Sequence, residues 1–258
     1  MHIHSDEAII LHSRDYGEAD RIVTALTRSH GLLKGFARNA RKSRKRFGPA
    51  LEPFALLKLI WNPPRSGELS SLREAEILDL RTGLRRDLPT LALAGYGLEL
   101  TERLTPEGDL HTEHFALLNA FLDHLGAVGA APTAKLLFEL RLVQLAGLMP
   151  HLLHCAICNA PFTEDIVPFS AGYGGGICAT CATGNDGPPV NVATLGSLSR
   201  CLRAPVTVFA DLHLGATTLR EGGSILGAAL AAHLDRPLAS SAFLQLADSM
   251  APVDPRKK

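Results

Sequence analysis

Apolar and polar residues alternate in short runs through the first eighty positions. The runs cover 8–12, 22–27, 32–37, 54–61 and 69–77, and each has the length and period of a half-buried strand. Turn-forming residues separate them: Asp15-Tyr16-Gly17, Ser29-His30-Gly31, Phe47-Gly48-Pro49, and Asn-Pro-Pro-Arg-Ser-Gly over 62–67. Five short strands in so little chain fit a small closed or nearly closed barrel. After Asp79 the period changes to that of helices, predicted over 89–104, 111–125, 133–148, 194–202, 218–234 and 241–250. Pro89 and Pro132 suit first helical turns, and Gly147 with Pro150 suits a helix end. Leu136, Leu137, Leu140 and Val143 supply the buried stripe of the third helix. Residues 252–258 read as frayed, and no internal repeat is visible.

Charge sharpens this picture. The chain carries 26 Lys and Arg against 26 Asp and Glu and is formally neutral. Residues 1–83 nonetheless hold 14 basic against 10 acidic side chains, which leaves the remainder acidic. Much of the surplus lies in one stretch, where Lys34, Arg38, Arg41, Lys42, Arg44, Lys45 and Arg46 occur with no acid among them. Charge of that density is the footprint of a polyanion, most often a nucleic-acid backbone. A solvated basic loop with no partner is the plainer alternative. Arg14 and Arg21 flank the turn at Tyr16 and extend the basic surface, and Tyr16 is the candidate for stacking on a base. Phe36, Phe47 and Trp61 lie near the segment, with core packing the favoured role for each and stacking the alternative.

Other five-stranded barrels match the strand count equally well, but the oligonucleotide-binding (OB) form also explains a basic face. The expected fold class is therefore multi-domain α+β. An N-terminal five-stranded OB-fold β-barrel over 1–80 precedes an α-helical domain over 81–258 that carries an inserted four-cysteine zinc module, a zinc finger, at 151–187.

The module is read from cysteine spacing. Cys155-Ala-Ile-Cys158 and Cys178-Ala-Thr-Cys181 are separated by 19 residues. Each C-x-x-C places two thiolates on one tight turn, and two such turns complete a tetrahedron around zinc. Four thiolates leave no open position for water, so the ion is expected to be structural. Reduced dithiols are the competing reading, and His151 or His154 could stand in for one cysteine. Gly172, Gly174, Gly175 and Gly176 are expected to allow the chain reversal before the second pair, and Cys201 to be a buried helix residue.

Several classes are disfavoured. The N-terminus lacks a secretory pattern, and no apolar run approaches the length of a membrane span, so a cytoplasmic protein is expected. His111-Thr-Glu113 with a later C-x-x-C superficially resembles zinc deaminases, but Cys155 lacks the preceding Pro and the second cysteine pair would have no role. Neither a G-x-S-x-G nor a Walker A sequence is present.

Taken in order, these segments resemble the RecO family of bacterial recombination mediators. The resemblance is carried by Tyr16-Gly17-Glu18 with Asp20, by Thr27 and Gly31-Leu32-Leu33, and by the basic segment with Lys42-Ser43-Arg44. It continues through Leu51-Glu52-Pro53-Phe54, Tyr96, Leu98-Glu99-Leu100, and Gly147-Leu148-Met149-Pro150 leading to Cys155 and Cys158. Gly175-Gly176-Ile177-Cys178 with Cys181, then His233 through Ser240, complete the set.

The resemblance implies an OB barrel, a helical domain with a zinc module, and no nuclease or ATPase activity. It implies binding of single- and double-stranded DNA, annealing of strands coated by single-strand-binding protein, and work with RecR, in some members also RecF, to load RecA. A cytoplasmic, nucleoid-associated location follows. It also implies a hydrophobic pocket rimmed by Arg or Lys for the acidic, apolar-ended tail of the single-strand-binding protein. Arg103, Lys135 and Arg141 are the helical-domain candidates. The alternative reading is a zinc-containing protein-interaction or transcription-type module without annealing activity.

Overall fold

Strands β1 (His4–Tyr16), β2 (Asp20–Thr27), β3 (Gly31–Ala37), β4 (Leu56–Asn62) and β5 (Ser70–Asp79) close into a barrel in the order β1-β2-β3-β5-β4. In this computed structural model, residues 3–43, 45–64, 67–106 and 112–250 are described. All neighbours are antiparallel except β3 and β5, which pair in parallel at Gly35↔Ser70 and Phe36↔Ser71. The run lengths predict such a closed five-stranded barrel, and it is the OB form expected from the basic face. Inward-facing Ala8, Ile10, Val23, Ala25, Leu33, Leu57, Leu59, Trp61 and Leu72 form its core. Gly35 is needed where β5 crosses β3, because a Cβ there would meet the Leu72 side chain at 2.5–2.9 Å.

The connection from β3 to β4 is a plug rather than a free loop. Its Ala40, Phe47, Ala50, Leu51 and Ala55 are buried with the barrel core. Its backbone is tied down as well: Asn39 N donates to Asp20 Oδ1 at 2.7 Å, Arg41 N to the Ala19 carbonyl at 3.0 Å, and Ala75 N to the Arg46 carbonyl at 2.9 Å.

The chain divides into two compact units, residues 1–129 with 238–258, and residues 130–237. This division follows packing and differs from the strand-to-helix change at residue 80. The first unit adds to the barrel a 3-10 turn (Thr82–Arg85), α1 (Leu88–Leu104), α2 (Thr112–Val128) and α6 (Ala239–Met250). Asp87 caps α1 by accepting from Thr90 N at 2.7 Å, and its hydrogen bonds to Thr90 hold its carboxyl below the usual value. Glu99 on α1 caps α6, accepting from Ala239 N at 2.9 Å, Ser240 N at 2.8 Å and Ser240 Oγ at 2.6 Å. Burial opposes ionisation of Glu99, but these donors outweigh it and its pKa falls.

Arg81 locks the barrel to α2. It sits at φ 48 in the left-handed region, with its side chain 2% exposed. It donates to Asp123 Oδ1 at 3.0 Å, Asn119 Oδ1 at 2.6 Å and the carbonyl of Phe54 at 2.9 Å. Phe54 is itself left-handed, at φ 77. Arg81→Ala strands a buried carbonyl and an amide, so it is expected to destabilise the protein by about 3 kcal/mol. A thermal melt would show this as a lowered Tm, and an unchanged Tm would contradict it.

The second unit contains α3 (Pro132–Leu145), β6 (Ile166–Ser170), β7 (Gly175–Gly176), β8 (Pro189–Asn191), α4 (Val192–Cys201) and α5 (Ala216–His233). The three strands form a sheet in the order β7-β6-β8. Helix α3 ends where Gly147 adopts φ 72 and Leu148 N reaches back to the Val143 carbonyl at 2.9 Å. Of the four glycines expected to reverse the chain, Gly174 has the left-handed backbone of a turn, at φ 69. Gly175 and Gly176 serve close packing instead: a Cβ would meet His151 at 2.8 Å and Phe162 at 2.8 Å respectively.

Candidate nucleic-acid interface and metal centre

The barrel plug exposes most of the basic run because its apolar residues point the other way. Ala37, Ala40, Phe47, Ala50 and Leu51 are buried, while Arg38, Arg41, Lys42 and Lys45 between them are exposed. Arg44 lies outside the described residues. Lys34, on β3, has its Nζ 3.9 Å from Glu68.

Not every cation in the run is equally disposed. The Arg46 guanidinium donates to the Arg38 carbonyl at 2.8 Å and to Ser43 Oγ at 3.1 Å, and lies 5.1 Å from the Phe47 ring centroid. It staples the plug together. Arg21, at the start of β2, bonds Asp15 at 3.1 Å and Glu52 at 3.1 Å. That double ion pair uses its charge to brace the β1–β2 hairpin and the plug, a task not visible from its place beside Tyr16. Arg41 is shared: it approaches Asp15 at 3.5 Å and donates to the Glu18 carbonyl at 3.2 Å, yet remains exposed. Arg14 is exposed on the outer face of β1.

The aromatic candidates separate cleanly. Phe47 and Trp61 belong to the core, at 2% and 3% exposure, and Trp61 is stacked against His4 with a centroid separation of 5.5 Å. Tyr16 is the last residue of β1, 56% exposed, and meets the half-buried Phe36 edge to face at 5.9 Å.

The candidate metal centre is built from the two C-x-x-C turns. Sγ atoms of Cys155, Cys158, Cys178 and Cys181 all lie within 4.8 Å of one another. Cys158 and Cys178 Sγ are 3.7 Å apart, and a tetrahedron with Zn–S bonds of about 2.3 Å has edges of about 3.8 Å. The donor set therefore fits a tetrahedral, thiolate-preferring ion. Burial disfavours a charged Cys155, but backbone N–H groups of Cys158, Cys178 and Ile157 outweigh it and bring the thiol down to about 6. Cys178 N donates to Cys155 Sγ at 3.4 Å. Glu164 accepts from Ala179 N at 2.9 Å, bracing the second turn. The local core is small, consisting of Cys155, Ile177 and Cys178 with Phe162, Cys181 and Ala182 packed against them.

Among the described residues, these four cysteines are the group of His, Cys, Asp or Glu able to hold a metal; neither His151 nor His154 joins it. His111 of the deaminase-like pattern lies outside the described residues, and Glu113 is exposed in the first turn of α2. Between Arg141 and Arg200 the chain has no Lys or Arg but includes Glu164, Asp165 and Asp186. The four-cysteine module thus offers no Lys or Arg for a phosphate. No helix among the described residues is long and apolar enough to cross a membrane.

Comparison with known proteins adds the decisive observation. The model of the Recombination protein O N-terminal domain matches residues 1–81, and that of the Recombination protein O C-terminal domain matches residues 85–242. The chain belongs to the RecO family. Similar proteins named DNA repair protein RecO include one from Syntrophotalea carbinolica, 46% identical over 250 residues, covering 96% of this chain and 97% of that one. Another, from Geobacter sulfurreducens, is 41% identical and covers 95% of this chain and 98% of its own. A third, from Anaeromyxobacter sp. (strain K), is 42% identical over 92% and 93% of the two chains.

The three cations expected to rim a peptide pocket are differently placed in the fold of this RecO-family chain. Arg141 is fully buried, donates to the Val206 carbonyl at 3.3 Å and lies 5.0 Å from the Phe209 ring centroid. Its Nε and Nη2 have no partner among the described residues, and desolvation pulls its pKa down. A guanidinium without exposed surface cannot rim an open pocket, so Arg141 is corrected to an internal residue of the second unit. Lys135 is bound to Glu139 at 2.6 Å, one turn along α3. Arg103 is half-buried on α1.

Proposed function

We propose that this protein is a non-enzymatic DNA repair and recombination mediator that grips single- and double-stranded DNA through the exposed face of its barrel plug. The observation carrying this reading is the plug itself. An apolar underside is sunk in the core of an OB barrel, and Arg38, Arg41, Lys42 and Lys45 are held on the outside. A rigid array of cations binds phosphates without first losing loop entropy, and each contact releases counterions from the strand. Lys34 and Arg14 extend the array, and Arg44 is proposed to contact DNA from its place in the basic run of the sequence alone. Arg46 and Arg21 act through the fold, one stapling the plug and the other bracing its neighbours. Bringing two strands to one cationic surface lowers the repulsion that opposes their pairing, which supports annealing of strands coated by single-strand-binding protein.

RecR, and in some settings RecF, are the proposed co-workers in loading RecA, and single-strand-binding protein is the proposed docking partner. A cytoplasmic, nucleoid-associated location accords with these roles. The ion held by the four cysteines is proposed to be zinc, with a structural role; the absence of Lys and Arg from 142–199 supports leaving DNA contact to the first unit.

The test is annealing of complementary single strands coated with their cognate single-strand-binding protein, without ATP. Duplex formation accelerated at least tenfold over the protein-free reaction is expected. A folded, metal-loaded protein that gives no acceleration would rule out the mediator reading and favour the interaction-module alternative.

A further inference from the structure

We propose that Tyr16 and Phe36 form a stacking platform for one unpaired base, so that the barrel selects single strands over duplex. This deepens the DNA-binding reading above and rests on it. The register places the platform. Arg14 pairs with Ile22, and Ile22 pairs with Phe36, so their side chains share one face of the sheet. Val23 and Ala37, of the opposite parity, are in the core, so that shared face is the outer one. Tyr16 is two residues beyond Arg14 on the same face, and Lys34 two residues before Phe36.

The rings are disposed to receive a third. Phe47 and Trp61 are spent in the barrel core, whereas Tyr16 is 56% exposed and Phe36 stays outside that core. Tyr16 and Phe36 meet at 82°, with centroids 5.9 Å apart. Tyr16 therefore keeps ring surface that Phe36 does not cover, and a planar base can stack there. Arg14 and Lys34 on the same face provide cations for the phosphates on either side of that base. Within a duplex, both faces of a base are covered by its neighbours, so only an unpaired base can occupy such a platform. When that base pairs with an incoming strand it leaves the platform, which loosens the hold on the product while phosphate contacts persist.

The experiment compares two oligomers of equal length at fixed salt, a thymidine oligomer and an abasic sugar-phosphate oligomer. The wild type is compared with Tyr16→Ala, Phe36→Leu and Tyr16→Phe. The wild type is expected to bind the thymidine oligomer about 5- to 100-fold more tightly than the abasic one. Tyr16→Ala and Phe36→Leu should lose that preference yet keep the dependence of affinity on salt, and Tyr16→Phe should retain the preference. Equal binding of both oligomers by the wild type, or a preference unchanged in Tyr16→Ala and Phe36→Leu, overturns the platform and leaves phosphate gripping standing. Absence of salt-dependent binding to either oligomer overturns the DNA-binding reading, and the platform with it.

Discussion

Replacing Arg38, Arg41, Lys42 and Lys45 together by alanine is expected to lower affinity for single-stranded DNA by roughly a hundredfold or more at about 50 mM salt. Each phosphate contact on a single strand contributes about 0.7 to the slope of log affinity against log salt, so losing four should flatten that slope by about 3. The set omits Arg46 deliberately. Its guanidinium holds the Arg38 carbonyl and Ser43 Oγ, and its loss would disturb the plug rather than merely discharge it. The four chosen side chains are exposed, so the melting temperature should stay within a degree or two. Fluorescence anisotropy across a salt series would measure the effect. A variant with wild-type slope and affinity would show that this face does not meet the phosphates.

Stripping the metal, or Cys155→Ser, is expected to unfold the module around the two C-x-x-C turns. Structural zinc contributes on the order of 10 kcal/mol to the folding of small modules. The packing at the two turns is small by comparison: the buried cluster there consists of Cys155, Ile177 and Cys178, two of which belong to the four-cysteine group. Loss of amide-exchange protection over 151–191, with the barrel still protected, is the expected result by mass spectrometry. Protection that persists after complete metal removal would mean the module stands on its packing alone. The salt slope for DNA should not change on metal removal, since no Lys or Arg lies between Arg141 and Arg200.

Much of this was legible in the sequence because it is periodic or spaced. Five barrel strands and six helices fall where the apolar runs put them, all but one within about three residues at their ends; β1 runs four residues further in each direction, from His4 to Tyr16. The four cysteines able to hold a metal follow from two identical spacings. The strands β6, β7 and β8 did not announce themselves, being short and rich in Pro and Gly, and held together by packing such as that of Gly175 on His151. The plug was half legible. Its charge is obvious, but Phe47, Ala50 and Leu51 read as part of a loop until the barrel provides a core for them. Arg21 was hidden for a different reason, because its partner Glu52 is 31 residues away. Arg141 carries a hint in retrospect, as a lone cation in the strongly apolar run 136–143, but sequence does not say that such a charge will be buried.

The capping of α6 by Glu99 has a consequence for the order in which the molecule can be made. The face of α1 that receives α6 is synthesised more than a hundred residues before α6 exists. At ribosomal speeds that interval is on the order of ten seconds, during which the 130–237 unit emerges and can collapse. The first unit, although it contains the N-terminus, is therefore the last to be completed. A nascent chain exposes an apolar flank of α1 throughout that wait, and stalled or truncated translation products lacking α6 would keep it exposed.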